Sequence, residues 1–305
     1  MDRIPFKREL SFEYGQAAQL SPLIRRVVAK NPSMFTLHGT GTYIVGKGNV
    51  AIIDPGPNIP EHITAVLEAV RGETVTDIII THTHIDHSPA TPHVKAATQA
   101  TTWGFGPHGT THTGEQVEEG ADYDFVPDQE LRDNMLVEGN GWTIEAIHTP
   151  GHTSNHICLA LKEENVMFSG DHVMGWSTSV ISPPDGDMGS YLQSLEKLLA
   201  RHETRYWPTP GPAIENPQEF VQAFITHRKK REEDIKSCLH AGVTKIPDIV
   251  QQLYKSTDPK LYGAAGRSVL AHLIHMVETG RVLCEATPSV HSSVQLSPYV
   301  SIHLK

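Results

Sequence analysis

The stretch ITHTHIDHSPA, residues 80–90, places His82, His84, Asp86 and His87 within six positions. Imidazole and carboxylate are the ordinary ligands of zinc-like ions. Alternate residues on an extended segment point to one side, so His82 and His84 can share one ion. Asp86 and His87 lie where the chain turns and can serve a second ion close by. A single short loop does not close two coordination shells, so more distant ligands are required. His152 in TPGHT and Asp171 in SGDH are the best candidates. Each follows a strand-like run and can converge on the same edge. A carboxylate can bridge two cations, which makes Asp171 the natural bridge. Such a centre generates a hydroxide nucleophile at neutral pH and polarises a carbonyl or phosphoryl oxygen.

The elements around these residues read as alternating strands and helices. TYIVG and VAIID form two strands about a turn at Gly48, and DIIITH is a buried strand rich in β-branched residues. The histidine cluster therefore sits where a strand ends and its loop begins. Pro60 suits a first helical position, with Ile63, Val66, Leu67 and Val70 following at helical spacing. Residues 100–135 read mostly as loops. WTIEAIH, HICLAL, NVMFS and TRYWP are strands, and Gly189 to His202 is a helix with Leu192, Leu195 and Leu199 on one face. This order predicts a layered α/β sandwich with its site along one sheet edge. From about Pro217 the texture becomes helix, turn, helix, then the short strand RVLCE, which predicts a helix-turn-helix with a wing. The expected division is 1–216, 217–286 and a tail, 287–305.

Composition sets the outer bounds. The 305 residues include 25 Lys+Arg against 35 Asp+Glu, a net charge of −10, which argues against a bulk preference for nucleic acid. No apolar run approaches a membrane span, and MDRIPFKREL has no apolar signal core. Cys158, Cys238 and Cys284 are widely spaced and suit a reducing, cytoplasmic setting. His108 and His112 lie in a Gly/Thr loop, read as solvent-exposed or at a substrate mouth. His156 heads a strand and reads as a buried, hydrogen-bonded residue. The run HRKKRE, residues 227–232, reads as a solvated helix face.

THTHIDH, TPGHT and SGD, in that order and spacing, resemble the metallo-β-lactamase superfamily of hydrolases over residues from Phe35 to Pro212. The resemblance implies an αββα sandwich holding one to two Zn2+ per chain. His82, His84 and His152 then match the ligands of the first metal, Asp86 and His87 those of the second, and Asp171 the bridge. Asp86 would also orient the nucleophile. Asp54 in IIDPG matches a supporting aspartate beneath the first loop; the ordinary alternative is a turn carboxylate capping the next helix. HRKKREEDI and the helix-turn-helix resemble the beta-lactamase-like protein two branch, which carries a C-terminal winged helix. That branch includes a single-strand-specific endoribonuclease, and its relatives include thioesterases. One position departs. The family ends its metal set with a histidine in a PGHG-type turn, and here the turn reads WPTPGPAIENP, with Pro210 at the expected ligand. His172 and His227 are conceivable substitutes. The expectation is a hydrolase of a small-molecule ester, thioester or lactone. The alternatives are a single-strand endoribonuclease and a metal-poor binding protein silenced at Pro210. The winged helix is expected to wall the cleft or to join a homodimer rather than to grip nucleic acid.

Overall fold

A computed structural model describes residues 4–109, 120–255, 257–284, 288, 289, 295 and 296. Seven strands form the first sheet: β1 (Ala18–Gln19), β2 (Ile24–Val28), β3 (Gly41–Lys47), β4 (Asn49–Ile53), β5 (Thr74–Ile79), β6 (Thr101–Gly104) and β7 (Gln129–Glu130), in that spatial order. Pairing is antiparallel as far as β4 and parallel from β4 through β7. The second sheet runs β12-β11-β10-β9-β8, from β8 (Leu136–Gly139), β9 (Trp142–His148), β10 (Ile157–Leu161), β11 (Val166–Gly170) and β12 (Arg205–Pro208). Helices α1 (Pro60–Ala69) and α2 (Thr91–Thr98) cover the first sheet; α3 (Met188–Leu199) and the long α4 (Pro217–His240) cover the second.

Side-chain alternation explains the layers. In β3 and β4, Tyr43, Val45, Ala51 and Ile53 face the second sheet, where Ile144, Leu159 and Phe168 meet them. Ile44 and Ile52 point the other way, onto Val66 of α1 and Val94 of α2. In the second sheet, Cys158, Ala160 and Met167 turn outward onto Tyr191 and Leu195 of α3 and onto Phe220 and Phe224 of α4. Strands buried on both faces read as continuous apolar runs, which is why DIIIT carried no polar alternation. The result is the expected αββα sandwich.

Among the described residues of 100–135, read mostly as loops, β6 and β7 extend the parallel edge of the first sheet. One local expectation changes. In α3 the inward stripe is Tyr191, Leu192, Leu195 and Leu198, with Leu199 at its margin. Asp187 caps this helix, its carboxylate accepting from the Ser190 amide at 2.6 Å.

After α4 come α5 (Ile246–Leu253), α6 (Tyr262–Glu278), β13 (Val282–Leu283) and β14 (Gln295–Leu296). These are the helix-turn-helix and wing, with a core of Ile249, Val269 and Leu273 packed on Ile235 and Leu239 of α4. Gly280 ends α6 with φ +71, as its C-cap role requires. No helix among the described residues is long and apolar enough to cross a membrane.

The run HRKKRE is only partly solvated. Arg228 and Glu232 are both 3% exposed. Glu232 accepts from His275 Nδ1 at 2.8 Å and from Arg281 Nη1 at 2.5 Å, fastening the end of α6 to α4. His62 on α1 and His272 on α6 are buried, and burial pushes each imidazole down to about 4. Folding therefore excludes protons that the unfolded chain binds between about pH 6.5 and 4, and stability falls as pH drops through that window. Each group contributes on the order of 3 kcal/mol across it. Urea unfolding at pH 7.5 and pH 5 should show a marked loss at the lower pH. His62→Gln and His272→Leu should each shrink that difference, measured against the variant's own value at pH 7.5.

Candidate metal centre

The loops that follow β4, β5, β9, β11 and β12 open at one edge of the sandwich, and every ligand candidate except His227, on α4, lies in them. Asp54 follows β4, with a left-handed backbone of φ 49 and no exposure. That conformation costs a non-glycine residue about 1–2 kcal/mol, less for aspartate. Its carboxylate offsets the cost with four contacts. Oδ1 accepts from the Thr81 amide at 2.8 Å; Oδ2 accepts from Thr81 Oγ1 at 2.7 Å, His87 Nδ1 at 2.8 Å and Thr209 Oγ1 at 3.1 Å. Asp54 is thus a clamp across three loops, and it does not cap α1, whose N-terminus has no side-chain cap.

Three imidazole nitrogens meet above this clamp. His84 Nδ1 lies 3.1 Å from His82 Nε2 and 3.2 Å from His152 Nε2. Two nitrogens bound to one tetrahedral zinc at its usual bond length stand roughly 3.3 Å apart. Burial, then the neighbouring histidines, holds His82 and His84 well below the usual imidazole range, so both are neutral. Neutral imidazole is the form that binds a metal. The tautomers suit the task. Thr81 Oγ1 spends its proton on Asp54, so it accepts from His82 Nδ1 at 3.1 Å, and His152 Nδ1 donates to the Val180 carbonyl at 2.7 Å. Both Nε2 atoms are left with free lone pairs.

A second group stands beside the first. His87, its Nδ1 held by Asp54, turns Nε2 towards Asp86 Oδ2 at 3.3 Å and Asp171 Oδ1 at 3.4 Å. These spacings exceed an ordinary N–H···O bond and match ligand atoms around a shared ion. Burial opposes a charge on His87, but Asp86, Asp171 and Asp54 outweigh it and raise its pKa well above the usual range. His82, His84 and His152 form one potential metal group, and His82, His87 and Asp171 form another. The residues present fit a metal in both groups.

The turn after β12 supplies no further ligand. Pro210 is bridged through its backbone to Thr40, and Thr209 spends its hydroxyl on Asp54. Thr40 in turn donates to Asp86 Oδ2 at 2.7 Å. His172 and His227 are in neither metal group. His172 packs on the Tyr191 ring, 4.5 Å between centroids.

Supporting residues hold the far side. His156 Nε2 accepts the Asp171 amide at 3.3 Å, consistent with its reading as a buried, hydrogen-bonded residue. Gly170, at φ +51, passes so close that a Cβ would lie 2.5 Å from that nitrogen. Gly151, at φ +137, lets the His152 turn run against α3, where a Cβ would fall 2.3 Å from Tyr191 Cα. His108 is not solvent-exposed: its Nδ1 lies 2.9 Å from Thr83 Oγ1, between the two ligands of the HxH pair. His112 lies outside the described residues. Sequence reading missed Thr40, Thr81 and Thr209, because a threonine next to a ligand carries no signal of its own. It also missed Arg228, Ser179 and Tyr191, which reach the site from other elements.

Replacing Asp54 by Asn keeps the shape but removes the charge and turns one acceptor into a donor facing Thr81 or His87. Outer-shell changes of this kind weaken metal binding about 10- to 100-fold. Competition with a chromophoric chelator should register that loss in Asp54→Asn; an unchanged affinity would show that the clamp does not act on the ligands.

Residues 36–207 match the Metallo-beta-lactamase superfamily, and residues 246–287 match the Beta-lactamase associated winged helix domain. The chain is 34% identical over 257 residues to a Beta-lactamase-like protein 2 homolog of Caenorhabditis elegans, covering 77% of this chain and 78% of that one. It is 32% identical over 245 residues to an atrochrysone carboxyl ACP thioesterase of Pseudocercospora fijiensis, covering 77% and 68%. A Beta-lactamase domain protein from Burkholderia ambifaria superposes with a TM-score of 0.75 at 18% identity, over 92% of this chain and 94% of that one. With its αββα layers, its histidine-rich edge and its C-terminal winged helix, the chain is a hydrolase belonging to the metallo-β-lactamase superfamily.

Proposed function

We propose that this protein is a zinc-dependent hydrolase of a small ester, thioester or lactone. The observation that carries the metal is the meeting of the His82, His84 and His152 imidazoles at 3.1 and 3.2 Å, with Nδ1 of His82 and of His152 held from behind. His82, His84 and His152 would hold one ion, and Asp86, His87 and Asp171 a second. Bound zinc supplies a hydroxide near neutral pH and polarises the scissile oxygen. The chain's own part is positional. Asp86, fixed by Thr40, presents a buried carboxylate to orient the nucleophile and take its proton. His87 is fixed by Asp54 so that its Nε2 faces the same space.

The rim and the charge support this substrate class. Ile85, between the ligands His84 and Asp86, is 40% exposed, and Tyr123, beside His108, is 38% exposed. These apolar groups suit an acyl chain. A polyanion would need clustered Lys and Arg, whereas the net charge is −10 and the second helix of the winged-helix pair, α6, carries Arg267 as its only Lys or Arg. The thioesterase name of the fungal relative supports an acyl substrate for this chain as well.

Because Pro210 has no ligand atom, the second site should bind more weakly than the first. Elemental analysis of purified protein should find between one and two zinc ions per chain. Pro210→His should add occupancy at the weaker site, read as a second equivalent in calorimetric titration. Equal stoichiometry and affinity in both proteins would mean that position 210 does not face the ion or that another group already serves.

One zinc-loaded preparation, offered activated esters, thioesters and single-stranded RNA, should cleave the acyl substrates and leave RNA intact. His84→Ala controls for contaminating activity. Zinc- and His84-dependent RNA cleavage with surviving esters and thioesters would reverse the assignment. Zinc-free protein that takes up no zinc would end the metalloenzyme reading.

A further inference from the structure

His152 and Asp171 come from different loops, yet both lean on one irregular segment, residues 171–182, between β11 and α3. Asp171 opens it. Ser179 Oγ lies 2.5 Å from the Asp171 carbonyl oxygen and 2.8 Å from that of His172, so its hydroxyl ties the segment back on itself. The next carbonyl, of Val180, accepts from His152 Nδ1 at 2.7 Å. The Tyr191 hydroxyl, from α3, donates to the His172 carbonyl at 2.8 Å. The direction of two ligands thus depends on where Ser179 and Val180 sit.

The anchor for that point comes from α4. Arg228 is buried, and its Nη2 donates to the Ser179 carbonyl. Its guanidinium also stands over the Tyr191 ring, Cζ at 5.1 Å from the centroid. A buried guanidinium is held in place by both contacts, because moving it would leave a desolvated charge without partners. The path from helix to ligand is short: Arg228, the Ser179 carbonyl, the Ser179 hydroxyl and the Asp171 backbone on one side, and the Val180 carbonyl and His152 on the other.

We propose that Arg228 is a positioning residue for the metal centre: by holding the Ser179 carbonyl it aims Asp171 and His152, so that α4 sets the affinity of the site for its ion. This rests on the metalloenzyme reading above. The helix that leads into the winged-helix region then belongs to the machinery of the site without touching substrate.

The test uses the full chain, with zinc affinity measured by chelator competition and the cobalt(II) visible spectrum as a report of ligand geometry. Ser179→Ala keeps the carbonyl that Arg228 holds and removes only the hydroxyl link. Arg228→Met removes the anchor, and Arg228→Lys keeps a donor with a shorter reach. Lys229→Met, at an exposed neighbour paired with Glu196, is the control. Ser179→Ala and Arg228→Met should lose about 10- to 100-fold in zinc affinity with altered cobalt bands. Arg228→Lys should recover part of the loss, and Lys229→Met should match the parent. If Arg228→Met does not fold, Ser179→Ala and Arg228→Lys decide the matter. Variants with lowered melting temperatures but parental zinc affinity and cobalt spectra would overturn the proposal, leaving Arg228 a packing residue. A parent chain that binds neither ion would overturn the metalloenzyme reading, and this proposal with it.

Discussion

One buried carboxylate sets the geometry of the whole edge. Asp54 gathers donors from Thr81 and His87 after β5 and from Thr209 after β12, so a single side chain joins loops from both sheets. Parallel pairing of β4 with β5 makes this feasible, because it brings the C-terminal ends of both strands to the same side. The consequence reaches the ligands through protons. By taking the Thr81 hydroxyl proton and the His87 Nδ1 proton, Asp54 decides which nitrogen of His82 and His87 is left to face the ion. A carboxylate outside both candidate metal groups thereby fixes the nitrogen that two of their histidines present.

The two halves of the centre differ electrically. The first is three imidazoles, two of which, His82 and His84, are held well below the usual range by burial and by neighbouring histidines. In the second, an imidazole sits among three carboxylates that hold a proton on it. A cation entering the second half must displace that proton, whereas one entering the first meets lone pairs already bare. The asymmetry runs the same way as the ligand count, in which Pro210 and its bridge to Thr40 replace a side-chain donor with backbone.

Legibility in the sequence followed the range of the interaction. His82, His84, Asp86 and His87 announced themselves because four ligand types crowd one loop, and TPGHT and SGD because glycine-bearing turns follow apolar strands. The strands that hold them were readable from β-branched runs. The helix of Arg228 was readable too, but its inward face was not. Buried positions in α4 recur as Pro217, Phe220, Val221, Phe224, Ile225, Arg228, Glu232, Ile235, Cys238 and Leu239, an unbroken helical stripe with two charges in the middle. Hydropathy breaks where the stripe does not, so HRKKRE looked solvated. What keeps Arg228 inside is the Ser179 carbonyl, 49 residues away. The brief strands β6 and β7 were hidden for a similar reason: each is held by a neighbour in the sheet, with little pattern of its own.

That same stripe has a bearing on how the chain can come apart. The first turns of α4 are core for the sandwich, through Phe220, Val221 and Phe224, and the last are core for the winged helix, through Ile235 and Leu239. A 24-residue helix is a rod of about 36 Å with no joint in it. Each module therefore lends its neighbour part of its interior. Cutting the chain anywhere along the rod exposes an apolar face on one side and hollows out a core on the other. The two modules are therefore joined through a shared helix that is core to both, not through a tether of loop.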